Sequence, residues 1–321
     1  MRLMRLMRLV GASVSDVLLL AVGVALAGIG GDIFVRGSVG LASGLRVPPG
    51  IIGATVAAFA TSAPEMAVGV NAAIAGTPQI AVGDALGSNV VNIGLVMGAV
   101  LLIAPIRLDR RDVRRDLPFT VAAPLLLGLL LWDGWLSRTD GAVLVLVFAV
   151  WVGTTALQAL RERDATAAVL GARSLARALA LTLVGVGLLV LAGRFVVVAA
   201  GGIGHALGIA PFLVGATLVA FGTSVPELAT ALLSRWRGHD DLGAGTIMGS
   251  NIFNSLWIVG LVALIRPFEL HLGEVGIAVA AGAAAGLLMI PGASWILSRY
   301  RGAVLLAGYG TYALLLIRGA T

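Results

Sequence analysis

Residues 49–68 read PGIIGATVAAFATSAPEMAV, and residues 211–230 read PFLVGATLVAFGTSVPELAT. Eleven of these 20 positions are identical at an offset of 162. The same offset, without a gap, aligns GDALGSNVVN (83–92) with GTIMGSNIFN (245–254), and Pro105 with Pro267. Two matches at one unbroken offset mark a duplication. Around these segments the 321-residue chain is strongly apolar: 59% of residues are hydrophobic, 12% are charged and the mean hydropathy is +1.02. Apolar runs of about 20 residues, long enough to cross a hydrocarbon layer, recur from end to end. That composition excludes a soluble enzyme, a disordered chain and a nucleic-acid-binding module. A membrane β-barrel would alternate apolar and polar residues over about ten positions, and no such alternation is seen. Cysteine is absent, which removes disulfides, thiolate metal sites and cysteine nucleophiles.

The expected fold is all-α and integral to the membrane, with ten transmembrane helices arranged as two inverted five-helix repeats. The expected spans are 15–36, 47–75, 79–104, 117–134, 140–160, 174–200, 208–234, 243–265, 272–297 and 302–318. The opening MRLMRLMRL resembles the basic region of a signal peptide. The apolar stretch after it is too long for one and lacks a clear small-residue cleavage site, so it reads as the first span. The first repeat occupies 1–160, with its motif at 49–98. A short cytoplasmic linker follows at 161–173, then the second repeat at 174–321 with its motif at 211–260. An odd number of spans per repeat makes the second repeat enter from the opposite face, a plan that recurs among secondary transporters.

Every basic residue is Arg, and the formal charge is +6. Assigning loops alternately places 15 arginines on one side, among them Arg36, Arg46, Arg107, Arg110, Arg111, Arg114, Arg115, Arg161, Arg173, Arg235 and Arg237, and six on the other. The positive-inside rule makes the richer side cytoplasmic and both termini external, in a cell membrane of prokaryotic type. Asp32 and Arg194 fall at mirrored positions and suggest an ion pair between the halves.

The best-matched segments are also the most polar within the spans. The first holds Thr61, Ser62, Glu65, Asp84, Ser88, Asn89 and Asn92; the second holds Thr223, Ser224, Glu227, Thr246, Ser250, Asn251 and Asn254. An acid at mid-membrane costs about 2.5–3.5 kcal/mol, so three cost roughly 8–10 kcal/mol. A bound cation is the simplest compensation. Pro64 and Pro226 have no N–H to give to the carbonyls of Ala60 and Gly222, four residues back. Thr61 and Glu65 share a helix face, as do Thr223 and Glu227. Carboxylates, hydroxyls and loose carbonyls suit a hard cation such as Ca²⁺, which takes six to eight oxygens. Gly83 and Gly87, like Gly245 and Gly249, permit close helix approach and are expected to bring Asp84 toward Glu65 and Thr246 toward Glu227. Ser88 and Ser250 read more readily as packing residues than as ligands.

GATVAAFATSAPE with GDALGSN, and GATLVAFGTSVPE with GTIMGSN, resemble the two α-repeats of the cation/calcium exchanger superfamily, its prokaryotic sodium/calcium exchangers in particular. The resemblance implies a secondary antiporter that exchanges Ca²⁺ for Na⁺ by alternating access, not an enzyme. It implies that Glu65 and Glu227 are the central calcium ligands. Thr61, Ser62, Thr223 and Ser224 would serve calcium and sodium through hydroxyls and carbonyls, and Asp84 and Thr246 would complete the quartet. The familiar arrangement carries an amide at the first of these last two positions and an acid at the second; here they are acid and Thr. The alternatives are a proton-coupled or Mg²⁺/Mn²⁺-carrying exchanger and, less readily, a cation channel. The implied partners are inorganic cations (Ca²⁺, Na⁺ and, for the proton-coupled alternative, H⁺) and membrane lipid. No cofactor, nucleic acid or obligate protein partner is implied.

Overall fold

A computed structural model describes residues 2–45, 47–167, 174–207 and 211–319. Arg46, Arg173 and the 168–173 part of the expected linker lie outside the described residues. The chain is helical nearly throughout. Helix α1 is Arg2–Leu45, α2 is Pro49–Thr61, α3 is Ala63–Ala75, α4 is Pro78–Ile103, α5 is Arg110–Leu130 and α6 is Arg138–Ala167. In the second half α7 is Leu175–Leu207, α8 is Gly215–Thr223 (preceded by a helical turn at Pro211–Val214), α9 is Val225–Trp236, α10 is Asp240–Ile265, α11 is Leu272–Leu288 and α12 is Arg299–Gly319. Among the described residues, six helices are long and apolar enough to cross a membrane, or eight when each bent pair is taken as one crossing.

The breaks fall where proline dictates. Pro64 and Pro226 stand at the second position of α3 and α9, and Ser62 and Ser224 take non-helical ψ values of 11° and 3°. Each pair of helices bends by 45° there. A second irregularity repeats at the 162 offset: π-helical turns at Gly53–Ala57 and Gly215–Val219, and at Val91–Met97 and Phe253–Ile258. Thr55 and Thr217 donate their hydroxyls to the carbonyls of Ile51 and Leu213 at 2.7 and 2.6 Å, beside the first pair of these widened turns.

Two expected spans are corrected. The expected 15–36 crossing lies within one 44-residue helix, whose apolar crossing segment is Ala21–Leu45. Four of its glycines, Gly30, Gly37, Gly40 and Gly44, face α7 at close range. A Cβ at Gly37 would stand within 2.6 Å of the Thr182 hydroxyl, and one at Gly185 within 2.6 Å of the Phe34 backbone. The expected helix 272–297 stops at Leu288. Pro291 and Gly292 cannot carry it on, and Ile296–Leu297 (β4) pairs instead with Ile106–Arg107 (β1). Likewise Trp135–Leu136 (β2) pairs with Phe268–Glu269 (β3). Each short ladder joins one half of the chain to the other.

The contacts between halves are closest around α4 and α10. Positions 80, 83 and 87 of α4 meet positions 215, 212 and 216; positions 242, 245 and 249 of α10 meet 53, 50 and 54, their 162-residue mirrors. From Gly83–Phe212 through Gly87–Ala216 to Ser88–Ala220, and from Gly245–Gly50 to Gly249–Ala54, residue numbers rise together, so α4 lies alongside the 211–223 helix with the same chain direction, and α10 alongside 49–61. A Cβ on Gly87 would sit 2.6 Å from the carbonyl oxygen of Ala216 and 2.7 Å from its Cα. Gly87→Val is therefore expected to destabilise the fold by about 1–3 kcal/mol, read as a thermal midpoint lowered by roughly 2–12 °C.

Outside this core, α5 and α6 are tied by a buried ionic cluster. Arg115 grips Asp116 with two hydrogen bonds at 2.7 and 2.6 Å, and also reaches Asp112 at 3.1 Å and Gln158 at 3.1 Å. The Trp151 indole N–H donates to Asp116 at 2.9 Å. Arg115→Met would leave Asp116 buried without its guanidinium, an expected loss of about 3–5 kcal/mol. Adding Asp116→Asn should return most of it, and the two thermal midpoints measure the difference.

The expected ion pair between Asp32 and Arg194 is not formed. Asp32 instead binds Arg36 one turn along α1, at 2.8 Å, and Arg237 just beyond α9; Arg194 is exposed. The bend that ends α9 carries Arg237 over α1, and that sets the partner.

Candidate ion site

The two bends place their polar residues at the centre of the molecule. Thr61, Ser62, Glu65, Thr223, Ser224, Glu227 and Thr246 are all buried, as is Asp84 at 1% exposure. Ala60 and Gly222 are buried beside them. Asp84 lies in the core with them.

Hydrogen bonds cross between the halves. Ser62 of the first half and Ser250 of the second both donate to Glu227 Oε1, each at 3.2 Å. Thr61 stands 3.4 Å from the Ser250 hydroxyl. The mirrored donors for Glu65 would be Ser224 and Ser88, but they do not reach it. Ser88 instead lies 3.4 Å from Asp84 Oδ1 and 3.2 Å from the Thr223 hydroxyl. Thr223 in turn lies 3.0 Å from Asp84 Oδ1, 3.1 Å from the Val219 carbonyl and 3.3 Å from that of Ala220, so three acceptors compete for one proton. Asp84 thus gathers hydroxyls that would otherwise face Glu65. Both Glu65 oxygens, Glu227 Oε2 and Ser224 Oγ are buried without a hydrogen-bond partner.

Glu65 lies within electrostatic reach of both Glu227 and Asp84. Among the described residues, however, no three acid or His side chains converge into one metal cluster. The acids are neighbours: Glu227 takes Ser62 and Ser250, Asp84 takes Ser88 and Thr223, and Glu65 takes no hydroxyl. Thr246, the mirror of Asp84, turns its hydroxyl proton back to the Leu242 carbonyl at 2.8 Å.

Behind the acids the crossing of α4 and α10 is fastened by amides. Asn92 donates to Asn251 Oδ1 at 3.0 Å, Asn251 to the Asn89 carbonyl at 3.0 Å, and Asn89 to the Ser255 hydroxyl at 2.5 Å. These bonds fix the angle at which the two acid-bearing bends face one another. Ser88 and Ser250 are polar partners of the acids, not packing residues. Their signal was the GSN triplet, which survives the 162 shift unchanged. Ser255, opposite Ile93 at that offset, carried no such signal.

A family model described as sodium/calcium exchanger protein matches residues 15–157 and 177–318. The chain belongs to this family. It is therefore a multi-pass membrane protein of the cation/calcium exchanger superfamily, a group of ion antiporters. Among similar proteins is the inner membrane protein YrbG of Escherichia coli (strain K12), 36% identical over 269 residues, covering 78% of this chain and 80% of the relative. The putative antiporter CaxA of Alkalimonas amylolytica is 37% identical, covering 76% of this chain and 79% of its own length. The fold resembles that of the sodium-calcium exchanger NCX_Mj, soaked with Na⁺ and Sr²⁺, at a TM-score of 0.77 and 29% identity, covering 93% of this chain and 97% of that one.

Proposed function

We propose that this exchanger carries Ca²⁺ against Na⁺ by alternating access, through a site drawn from both halves. The observation that carries the reading is the buried Glu65 carboxylate, whose two oxygens have no hydrogen-bond donor. A buried carboxylate without a donor is expensive, and a divalent cation between Glu65 and Glu227 relieves that cost. The free oxygens of Glu65, Glu227 and Ser224 supply part of the shell a hard cation needs. Asp84, Thr61, Thr223, Ser62 and Thr246 and the carbonyls of Ala60 and Gly222 complete the proposed set. Without an ion, up to three carboxylates face one another in low dielectric, and their repulsion opposes crossing. Coupling then follows: only the loaded protein reorients.

The proposed frame is ten spans in two inverted five-helix repeats, 1–160 and 174–321, joined by the 161–173 linker, with both termini outside. The shared chain direction of α4 and the 211–223 helix supports this. The tight turn at Gly76 makes α3 and α4 antiparallel neighbours. A helix equivalent to α2 and α3 that runs with α4 therefore runs opposite to its counterpart. The sodium-calcium exchanger fold of NCX_Mj and the antiporter name of CaxA agree with the transport class.

The test is ⁴⁵Ca²⁺ uptake into proteoliposomes loaded with Na⁺. Uptake is expected to rise with the outward Na⁺ gradient and to saturate with Ca²⁺. Uptake indifferent to that gradient removes sodium coupling, and conduction without a counter-ion removes antiport. A second reading, proton coupling, is favoured by the acid at position 84 with its own hydroxyl pair. It predicts uptake driven by an outward proton gradient with no Na⁺ present.

A further inference from the structure

Thr230 and Ser234 are the next two polar side chains on the Glu227 face of α9. Residues 227, 230 and 234 are spaced three and four apart and share one stripe of the helix. That stripe faces α10. Ser250 of α10 donates to Glu227, and a Cβ at Gly243 would stand 3.2 Å from Ser234 Cβ. Both hydroxyls are buried, and neither has a hydrogen-bond partner.

This is unusual within the molecule. Thr55, Thr120, Thr182, Thr217 and Thr246 all donate to the carbonyl four residues back. Thr230 and Ser234 have carbonyls available at the same spacing and leave them. A buried hydroxyl without a partner costs about 1–3 kcal/mol, so two on one stripe require a purpose. At the end of the seam stands Asp240, whose Oδ2 accepts from Arg235 while its Oδ1 is unpartnered. From Glu227 Oε2 through Thr230 and Ser234 to Asp240 Oδ1, four unpartnered oxygens follow one helix seam.

The other half lacks this series. The mirrored positions of Thr230 and Ser234 are Val68 and Ala72, that of Gly243 is Ala81 and that of Asp240 is Pro78. The seam between α3 and α4 is apolar where the seam between α9 and α10 is polar. The two halves, alike at the acids, differ on the way out.

We propose that the α9–α10 seam is a hydrated cation route joining Glu227 to the end of the molecule that carries Arg235, Arg237 and Asp240. The Arg235–Asp240 pair is its closed mouth, and the pairing of Arg237 with Asp32 binds that mouth to α1. By the arginine distribution this is the cytoplasmic end. The inference deepens the exchange reading and rests on it for the identity of the traveller, a small hydrated cation such as Na⁺ or Ca²⁺.

The chain has no cysteine, so single cysteines report cleanly. Ser234→Cys, Thr230→Cys, Val68→Cys and Ala72→Cys proteins are treated with a membrane-impermeant cationic methanethiosulfonate in inside-out vesicles, and the added mass is read. Thiol reactivity follows access, so Cys at 230 and 234 is expected to react at least about tenfold faster than Cys at 68 and 72. Saturating Ca²⁺ should slow the reaction at 230, next to the ion, more than at 234. Arg235→Gln in the Ser234→Cys background should speed modification by releasing the mouth. Modification at 234 alone, at neither position, or equally at all four overturns the route. Modification at 230 and 234 in a protein that shows no Ca²⁺ uptake overturns the exchange reading instead and leaves the route standing.

Discussion

Vesicles carrying Glu65→Gln are expected to take up Ca²⁺ at less than about one-hundredth of the parent rate, a loss equivalent to ~2.7 kcal/mol, while the same protein unfolds at a higher temperature. The two effects have one origin. The Glu65 carboxylate is buried with neither oxygen hydrogen-bonded, so it burdens the fold as much as it attracts an ion. Replacing a buried, uncompensated charge with a neutral group of the same shape removes a penalty that is still several kcal/mol after relaxation. For a chain of this size each kcal/mol is worth about 2–4 °C in the midpoint. Glu227→Gln should lose transport similarly but gain little stability, because Ser62 and Ser250 already satisfy Glu227 Oε1 and can satisfy an amide oxygen as well. Calcium uptake in vesicles and thermal unfolding in Ca²⁺-free buffer measure both. Normal uptake by Glu65→Gln would end the site assignment. An unchanged midpoint would show that Glu65 is not a bare charge.

The second large effect concerns Asp84. Asp84→Asn is expected to weaken Ca²⁺ binding by about tenfold or more, ~1.4 kcal/mol per decade, because the core drops from three carboxylates to two. Thr246→Asp alone brings a fourth acid into the core, where like charges repel, and should express poorly or bind only when Ca²⁺ is high. The double variant Asp84→Asn, Thr246→Asp restores three. It should recover Ca²⁺ affinity to within about threefold of the parent. In the parent, Asp84 takes Thr223 and Ser88 for itself. In the double variant the amide oxygen at position 84 can still accept from both, so the exchange tests the count of carboxylates. Calcium titration by calorimetry across the three variants tests this. No recovery in the double variant would mean that position, not charge count, governs the site.

Much of this was legible in the chain. The 162 offset predicted the duplication, and Pro64 and Pro226 marked where carbonyls lose their donor; the 45° breaks there were not foreseen in the spans 47–75 and 208–234. The acids and hydroxyls of the two motifs are buried together, as the cost of placing them in lipid required. What could not be read is what depends on partners distant in sequence. Nothing local separates Ser88 as a packing residue from Ser88 as a donor to Asp84, because the decision rests with Thr223, 135 residues on. The mirrored Asp32 and Arg194 invited a pair, yet Arg237, at the turn that ends α9, takes Asp32 instead. Apolarity alone extended the span at 272–297 through Pro291, because hydropathy does not register a missing N–H. The π-helical turns also escaped notice. They leave the apolar pattern nearly intact and show only in the backbone.

The interlocking of α4 with 211–223 and of α10 with 49–61 has a consequence for biogenesis. Residues 50–54 complete their packing only against 242–249, so the amino-terminal half leaves the ribosome with its acid-bearing bend uncovered. It must wait in the bilayer, sheltered by lipid or by the insertion machinery, until nearly two hundred further residues have been synthesised. A gene cut between codons 167 and 174 should therefore yield functional protein only when both pieces are made in the same cell.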